Sequence, residues 1–298
     1  MQTRFLTSVA SAAVVLGLTS MVGLGQDRAS TTTADGVWPT RMADGQPNVQ
    51  GDWDPDISGM FDISDPRVSG GARFNELVQE RKGITRTPNP SRIVDPPDGK
   101  IPYQPWALAR RMALTPHIEE PTEPQHIDPL NRCLPAGPLR EMFTSQLRFT
   151  QYPESLLILN SANHVFRVVP VDGRPHVGPH VKLWMGDSRG HWEGTTLVVD
   201  VTNLNAKGRL DTIGDFSSDA VHMVERFIFL DAKTMRYEAT IDDLSVYTRP
   251  WTIASRFRRR GRNEGQEYWE DACHEGERSA DNMLLPVDGD HAAPPTKP

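Results

Sequence analysis

Between Asn163 and Arg258 the chain reads as successive short stretches of alternating apolar and polar positions, broken by Gly, Pro and Asp at turn positions. In Thr195–Thr202, Leu197, Val199 and Val201 share one face, and Thr196, Val198, Asp200 and Thr202 share the other. In His222–Phe229 the apolar face carries Met223, Glu225, Phe227 and Phe229, opposite His222, Val224, Arg226 and Ile228. In Arg236–Asp243 it carries Tyr237, Ala239, Ile241 and Asp243. This period predicts short strands with one face in a core. Sliding a strand by one residue would exchange its faces, so the pattern sets the register. The expected strands are Gln146–Tyr152, Ser155–Leu159, Val165–Val171, Val181–Met185, Thr195–Thr202, Val221–Leu230, Met235–Ile241, Trp251–Arg258 and Gln266–Asp271. Gly190–Gly194 reads as a turn entering a strand, with Trp192 as a plug. Eight or nine short strands with tight connections predict an antiparallel barrel or sandwich.

Upstream the pattern breaks down. Thr87–Pro138 contains twelve prolines, against five between Glu141 and Glu275. Long regular elements do not survive that density, because proline lacks an N–H and clashes with the preceding helical turn. Pro105–Leu114 is the exception, with proline at the first helical position where its missing donor costs nothing. Ala72–Lys82 has helical spacing through Phe74, Leu77 and Val78 and stops at Gly83. The expected organisation is a signal peptide at 1–25, an extended Pro-rich wrap at 26–138, a β domain at 139–275 and a disordered tail at 276–298.

The first segment places Arg4 before an uncharged run, Phe5 to Gly25, with Gly23 and Gly25 at cleavage-compatible positions. Its Thr and Ser content and the polar tract after it favour cleavage over an anchor, so the chain is expected to be secreted or periplasmic with no stable membrane insertion. The formal charge of −7 argues against nucleic acid as a partner, since phosphate backbones require clustered cations. The arginines at 256, 258 and 260 do cluster, but strand spacing puts them on one solvated face. The only cysteines, Cys133 and Cys273, form the simplest disulfide available in an oxidising compartment.

Several motifs occur as a set: DGQPNVQGDW (44–53), RCLPAGPLR (132–140), DGRPH (172–176), HWEGTTLVVD (191–200), ERF (225–227), DDLSVYTRPW (242–251) and EDAC (270–273). Together they resemble a family of uncharacterised secreted bacterial proteins, over nearly all of the mature chain. The resemblance implies export and one domain with an N-terminal wrap, and it carries no activity. The strand region also resembles lipocalin-type (calycin) barrels through its glycine-tryptophan turn and meander. The fold expected is therefore mainly β, an antiparallel calycin-like barrel of about eight strands, with one or two short helices in the wrap.

Glu225 and Asp243 stand out because a carboxylate on an apolar face is costly unless paired, and burial raises its pKa toward useful values. As neighbours they would serve as acid and base; alternatively Glu225 forms a structural ion pair with Arg167 or Arg256. Asp172, Arg174 and His176 lie at a strand exit, either as a structural turn or at a barrel mouth where they would fix an anionic or carbonyl group. Arg167, Arg226, Trp192, Tyr247 and Trp251 complete the expected ligand contacts, with Tyr247 at a rim. His176, His180 and His191, with His164 and His222, raise a metal site. However, Gly178 and Pro179 break the spacing of the first two, and no HExxH or CxxC pattern exists. No metal and no cofactor is expected, and no nucleophile elbow is present. The leading expectation is a monomeric binder of a small molecule in a partly polar interior. The alternatives are a lyase or hydrolase using Glu225 and Asp243 in that interior, and a surface or assembly module.

Overall fold

The computed structural model of the chain describes residues 38–56, 62–64, 91–118, 120–144, 146–162, 165–260, 281 and 283–284. The expected signal segment, the Ala72–Lys82 helix, the Gln266–Asp271 strand, His164 and Cys273 lie outside the described residues.

The strands are β1 (Gly51–Pro55), β2 (Ile93–Asp95), β3 (Leu147–Tyr152), β4 (Ser155–Asn160), β5 (Phe166–Pro170), β6 (Asp187–Glu193), β7 (Thr196–Thr202), β8 (His222–Phe229), β9 (Thr234–Asp242) and β10 (Trp251–Arg259). The helices are α1 (Pro105–Leu114) and α2 (Pro138–Thr144). Single 3-10 turns follow α1 at Thr115–His117, Pro124–His126 and Leu130–Arg132. Nine strands run β5-β4-β3-β1-β10-β9-β8-β7-β6, all neighbours antiparallel, and β2 pairs with β10 as well. The outer members, β5 and β6, come together, giving a nearly closed antiparallel barrel consistent with the calycin-like expectation. Gly190 makes that seam possible. A Cβ on it would stand 2.8 Å from Val169 Cγ1 and 3.1 Å from Val171 Cγ1, so only a bare glycine lets β6 lie against β5.

The alternation reads through to burial. In β8 every second residue is buried, with Met223, Glu225, Phe227 and Phe229 inward, and β7 and β9 follow with Leu197, Val199, Val201 and Tyr237, Ala239, Ile241. The interior is filled by rings. Trp53 meets Phe149 and Phe229, Phe227 meets Tyr237, and Phe143 of α2 reaches in against Tyr237 and Phe257 at centroid distances of 5.9 and 5.7 Å. Tilted and edge-on ring pairs of this kind gain energy beyond the area they bury.

Three expectations are corrected. The region 26–138 does more than wrap: β1 sits between β3 and β10, with Trp53 paired to Leu147 on one side and Arg259 on the other. It was hidden because only one of its five residues is fully buried. Asp187–Glu193 is a strand, and the turn comes after it at Gly194–Thr195, since seven β6 residues pair with β7. Val181–Met185 is not a strand. Its one bridge joins Leu183 to Leu204, and the Asn203 side-chain amide donates to the Gly178 and Val181 carbonyls, so hydrogen bonds to the end of β7 pin this segment. Among the described residues, no helix is long and apolar enough to cross a membrane.

Candidate functional site

Glu225 and Asp243 are both inside, with 0% and 3% of their surface exposed. They do not act on one another. Glu225 is paired in register with Ala239, and Asp243 lies four residues further along the chain, just past the end of β9, about 13 Å away at strand rise. Each carboxylate also has its own partners. Glu225 Oε1 accepts the Tyr237 hydroxyl at 2.6 Å, and Oε2 stands 2.7 Å from Arg167 Nη1. That ion pair is close but off the hydrogen-bond axis, and Arg167 Nη2 has no hydrogen-bond partner among the described residues. Burial and the charge of Glu225 hold the Tyr237 phenol well above its ordinary range, so it stays a neutral donor. Asp243 fixes a turn: Oδ1 accepts the Ser245 hydroxyl at 2.5 Å and Oδ2 accepts the Ser218 amide at 2.6 Å. The two carboxylates therefore stand apart, and Glu225 takes the Arg167 ion pair that the sequence offered as the alternative to an acid–base role.

The strand-exit cluster also moves. Asp172 and Arg174 pair with each other in solvent, and the hydrogen bonds from Arg174 hold the Asp172 carboxyl down at about 2. His176 folds onto the outside of the barrel, with Nδ1 2.8 Å from Asp187 Oδ2 and Nε2 2.8 Å from Asp200 Oδ1. His222 Nε2 takes the second oxygen of Asp200 at 2.6 Å. Asp200 and His222 belong to the outward rows of β7 and β8, so this network clamps the 172–186 loop to the outer wall rather than lining a mouth. Arg226 is outward too, paired with Glu193 at 2.7 Å. Trp192 packs against Phe229, with ring centroids 6.1 Å apart, its indole N–H donating to Gln46 Oε1. Trp251 and Tyr247 are fully buried and pack edge-on. Tyr247 was expected at a rim, but its hydroxyl donates to the Phe216 carbonyl at 2.7 Å from within the core. Cys133 ends the Leu130–Arg132 turn in the left-handed region, φ 58°.

A roomy space lies on the flank of the barrel. A cleft of about 630 Å³ opens between the end of α1, the 3-10 turns and the 204–216 loop. α1 contributes Arg110, Arg111, Ala113 and Leu114; the turns contribute His126, Arg132 and Leu134; the loop contributes Lys207, Arg209 and Phe216. Trp184, at the end of the clamped 172–186 loop, stands between this cleft and a smaller cavity of about 30 Å³ that reaches the core residues Met223 and Ile241. Gly214 allows the loop to meet the helix: its φ is +95°, and a Cβ would fall 2.2 Å from Leu114 Cδ2.

Behind the cleft three carboxylates, Asp62, Asp211 and Asp215, come within 4.8 Å of one another, the described group best placed to hold a cation. Asp211 is fully buried, which pushes its carboxyl well above the ordinary range, with the Asp215 charge adding to the effect. It already accepts the amides of Ile63, Gly214 and Asp215, while Asp215 accepts the Tyr103 hydroxyl and pairs with Arg111 at 3.2 Å. The group thus knots the wrap to the loop. Sequence reasoning missed both the knot and the cleft, because their residues are scattered from 62 to 216 and share no motif. No protein-family model, curated protein or solved structure matches the chain.

Proposed function

We propose that this protein is an exported, monomeric binder of a small molecule, belonging with the secreted bacterial proteins its motifs resemble, and that the ligand sits in the flank cleft. The observation that carries this reading is the cleft itself. Its volume falls within the range of small-molecule sites, roughly 300–1,000 Å³. Leu114, Leu134, Trp184 and Phe216 give it an apolar lining with a few convergent polar groups. The barrel interior, filled by Trp53, Phe143, Phe149, Phe227 and Tyr237, leaves the flank as the place for a ligand. A hydrolase or lyase reading built on Glu225 and Asp243 has no geometric support. A Cys133–Cys273 bridge, formed on export, is part of the proposal.

The test is a thermal-shift screen against small amphipathic compounds, repeated on Ala113→Trp. Ala113 is exposed on α1 and faces the cleft, so the new ring fills the space without disturbing the core. A ligand at about 100 times its Kd stabilises by roughly 2.7 kcal/mol. The expected result is a saturable shift in the parent protein that disappears in the variant. Hits that stabilise both proteins equally would place the ligand elsewhere and end this reading.

A further inference from the structure

We infer that the flank cleft selects an oxyanion, carboxylate or phosphate, carried on an apolar body. This inference rests on the proposed ligand site and names the chemical class it takes. The chain as a whole is acidic at −7, yet the cleft is lined by Arg110, Arg111, Arg132, Lys207 and Arg209, and no carboxylate lines it among the described residues. Of these cations only Arg111 has a carboxylate partner among the described residues, Asp215. Arg110 lies over the Phe216 ring at 4.6 Å instead.

Arg209 is the decisive group. It is 9% exposed, and its Nη2 donates to the Gln125 and His126 carbonyls at 2.6 and 3.1 Å. Those carbonyls accept hydrogen bonds but supply no charge, and Nε and Nη1 have no protein partner among the described residues. The nearby carboxylates are engaged elsewhere. Asp128 accepts from Arg140 at 2.7 Å and from the Leu130 amide, and Asp211 is held by backbone amides. Taking a charge out of water with no carboxylate in contact among the described residues is costly, and it pulls the Arg209 guanidinium below its ordinary range although the Asp128 charge opposes the shift. A wall of one sign in a concave, partly apolar space also focuses the field on whatever enters. The counter-charge is most simply provided by the ligand. A guanidinium fork presents paired donors to a planar or tetrahedral oxyanion. The rest of the ligand is apolar because Trp184, Leu114, Leu134 and Phe216 surround the cations.

The experiment is calorimetric titration of the purified protein with phenyl phosphate and benzoate, at low and at high salt. Benzyl alcohol and benzylammonium serve as neutral and cationic counterparts, and inorganic phosphate as the bare anion. The expected order places phenyl phosphate and benzoate at least about tenfold tighter than benzyl alcohol, with benzylammonium excluded and the affinity falling with salt. Arg132→Gln and Lys207→Gln, both outside the core, are each expected to weaken phenyl phosphate about tenfold while leaving the melting temperature of the free protein unchanged. Benzyl alcohol binding as tightly as phenyl phosphate, and lost in Ala113→Trp, would overturn the anion selection while leaving the cleft as a ligand site. Inorganic phosphate matching phenyl phosphate would overturn the apolar body. Binding by no probe would overturn the inference, and the wider screen with Ala113→Trp then decides the ligand site separately.

Discussion

Replacing Glu225 by Gln tests what the buried ion pair is for. The carboxylate is fully buried, its partner Arg167 is 95% buried on the side chain, and the two stand 2.7 Å apart. Their mutual attraction is largely offset by the cost of taking both from water, so the intact pair adds little net stability. Removing one charge is a different matter, because Arg167 then remains as an isolated cation inside a barrel of aromatic rings. Breaking a buried pair in this way costs roughly 3–5 kcal/mol, which for a chain of this size lowers the melting temperature by roughly 6–20 °C. Urea unfolding of Glu225→Gln should show that loss with an unchanged slope. The double variant Arg167→Met, Glu225→Leu should recover most of it, short of about 1–3 kcal/mol for the Tyr237 hydroxyl left without its acceptor. A Glu225→Gln protein within about 0.5 kcal/mol of the parent would refute the reasoning and show that the pair carries no structural charge balance.

Two further outcomes are expected. Gly190→Val brings a side chain into Val169 and Val171 at the β5–β6 seam and should cost about 1–3 kcal/mol by overpacking; a thermal melt unchanged from the parent would show that the seam is loose. Mass spectrometry of the unreduced protein should find no free thiol, and reduction should remove about 5 kcal/mol in the chain-entropy view of a loop between Cys133 and Cys273; two free thiols would end that pairing.

Some of this molecule was legible in its sequence, for reasons that can be named. Alternation in β7, β8 and β9 assigned the inward rows correctly, and with them the burial of Glu225 and Asp243. Alternation says which face a residue takes but not how far along the barrel it sits, so it could not separate those two carboxylates. Pro105–Leu114 was readable because its proline stands where a helix tolerates one. β6 was not, since Asp187, Arg189, His191 and Glu193 make one row polar and Ser188 and Gly190 leave Trp192 as the one apolar side chain of the other. The cleft was the least accessible feature. Arg110, Arg132 and Arg209 converge only after α1, the 3-10 turns and the 204–216 loop have packed together, and nothing local to any of them announces the others.

The position of β1 also decides when this protein can fold. Trp53 has Arg259 as its neighbour across the sheet, so β1, the first strand among the described residues, waits for β10, the last. Pairings of such long sequence separation are slow to form, because the intervening chain must be confined before any contact rewards it. A partly synthesised chain can pair β1 with β3 and form its central hairpins, but it lacks β10, the strand that joins β1 to β9. That delay would suit the export proposed above, since a chain threaded in an extended state could not seal its sheet until β10 had followed β1 across.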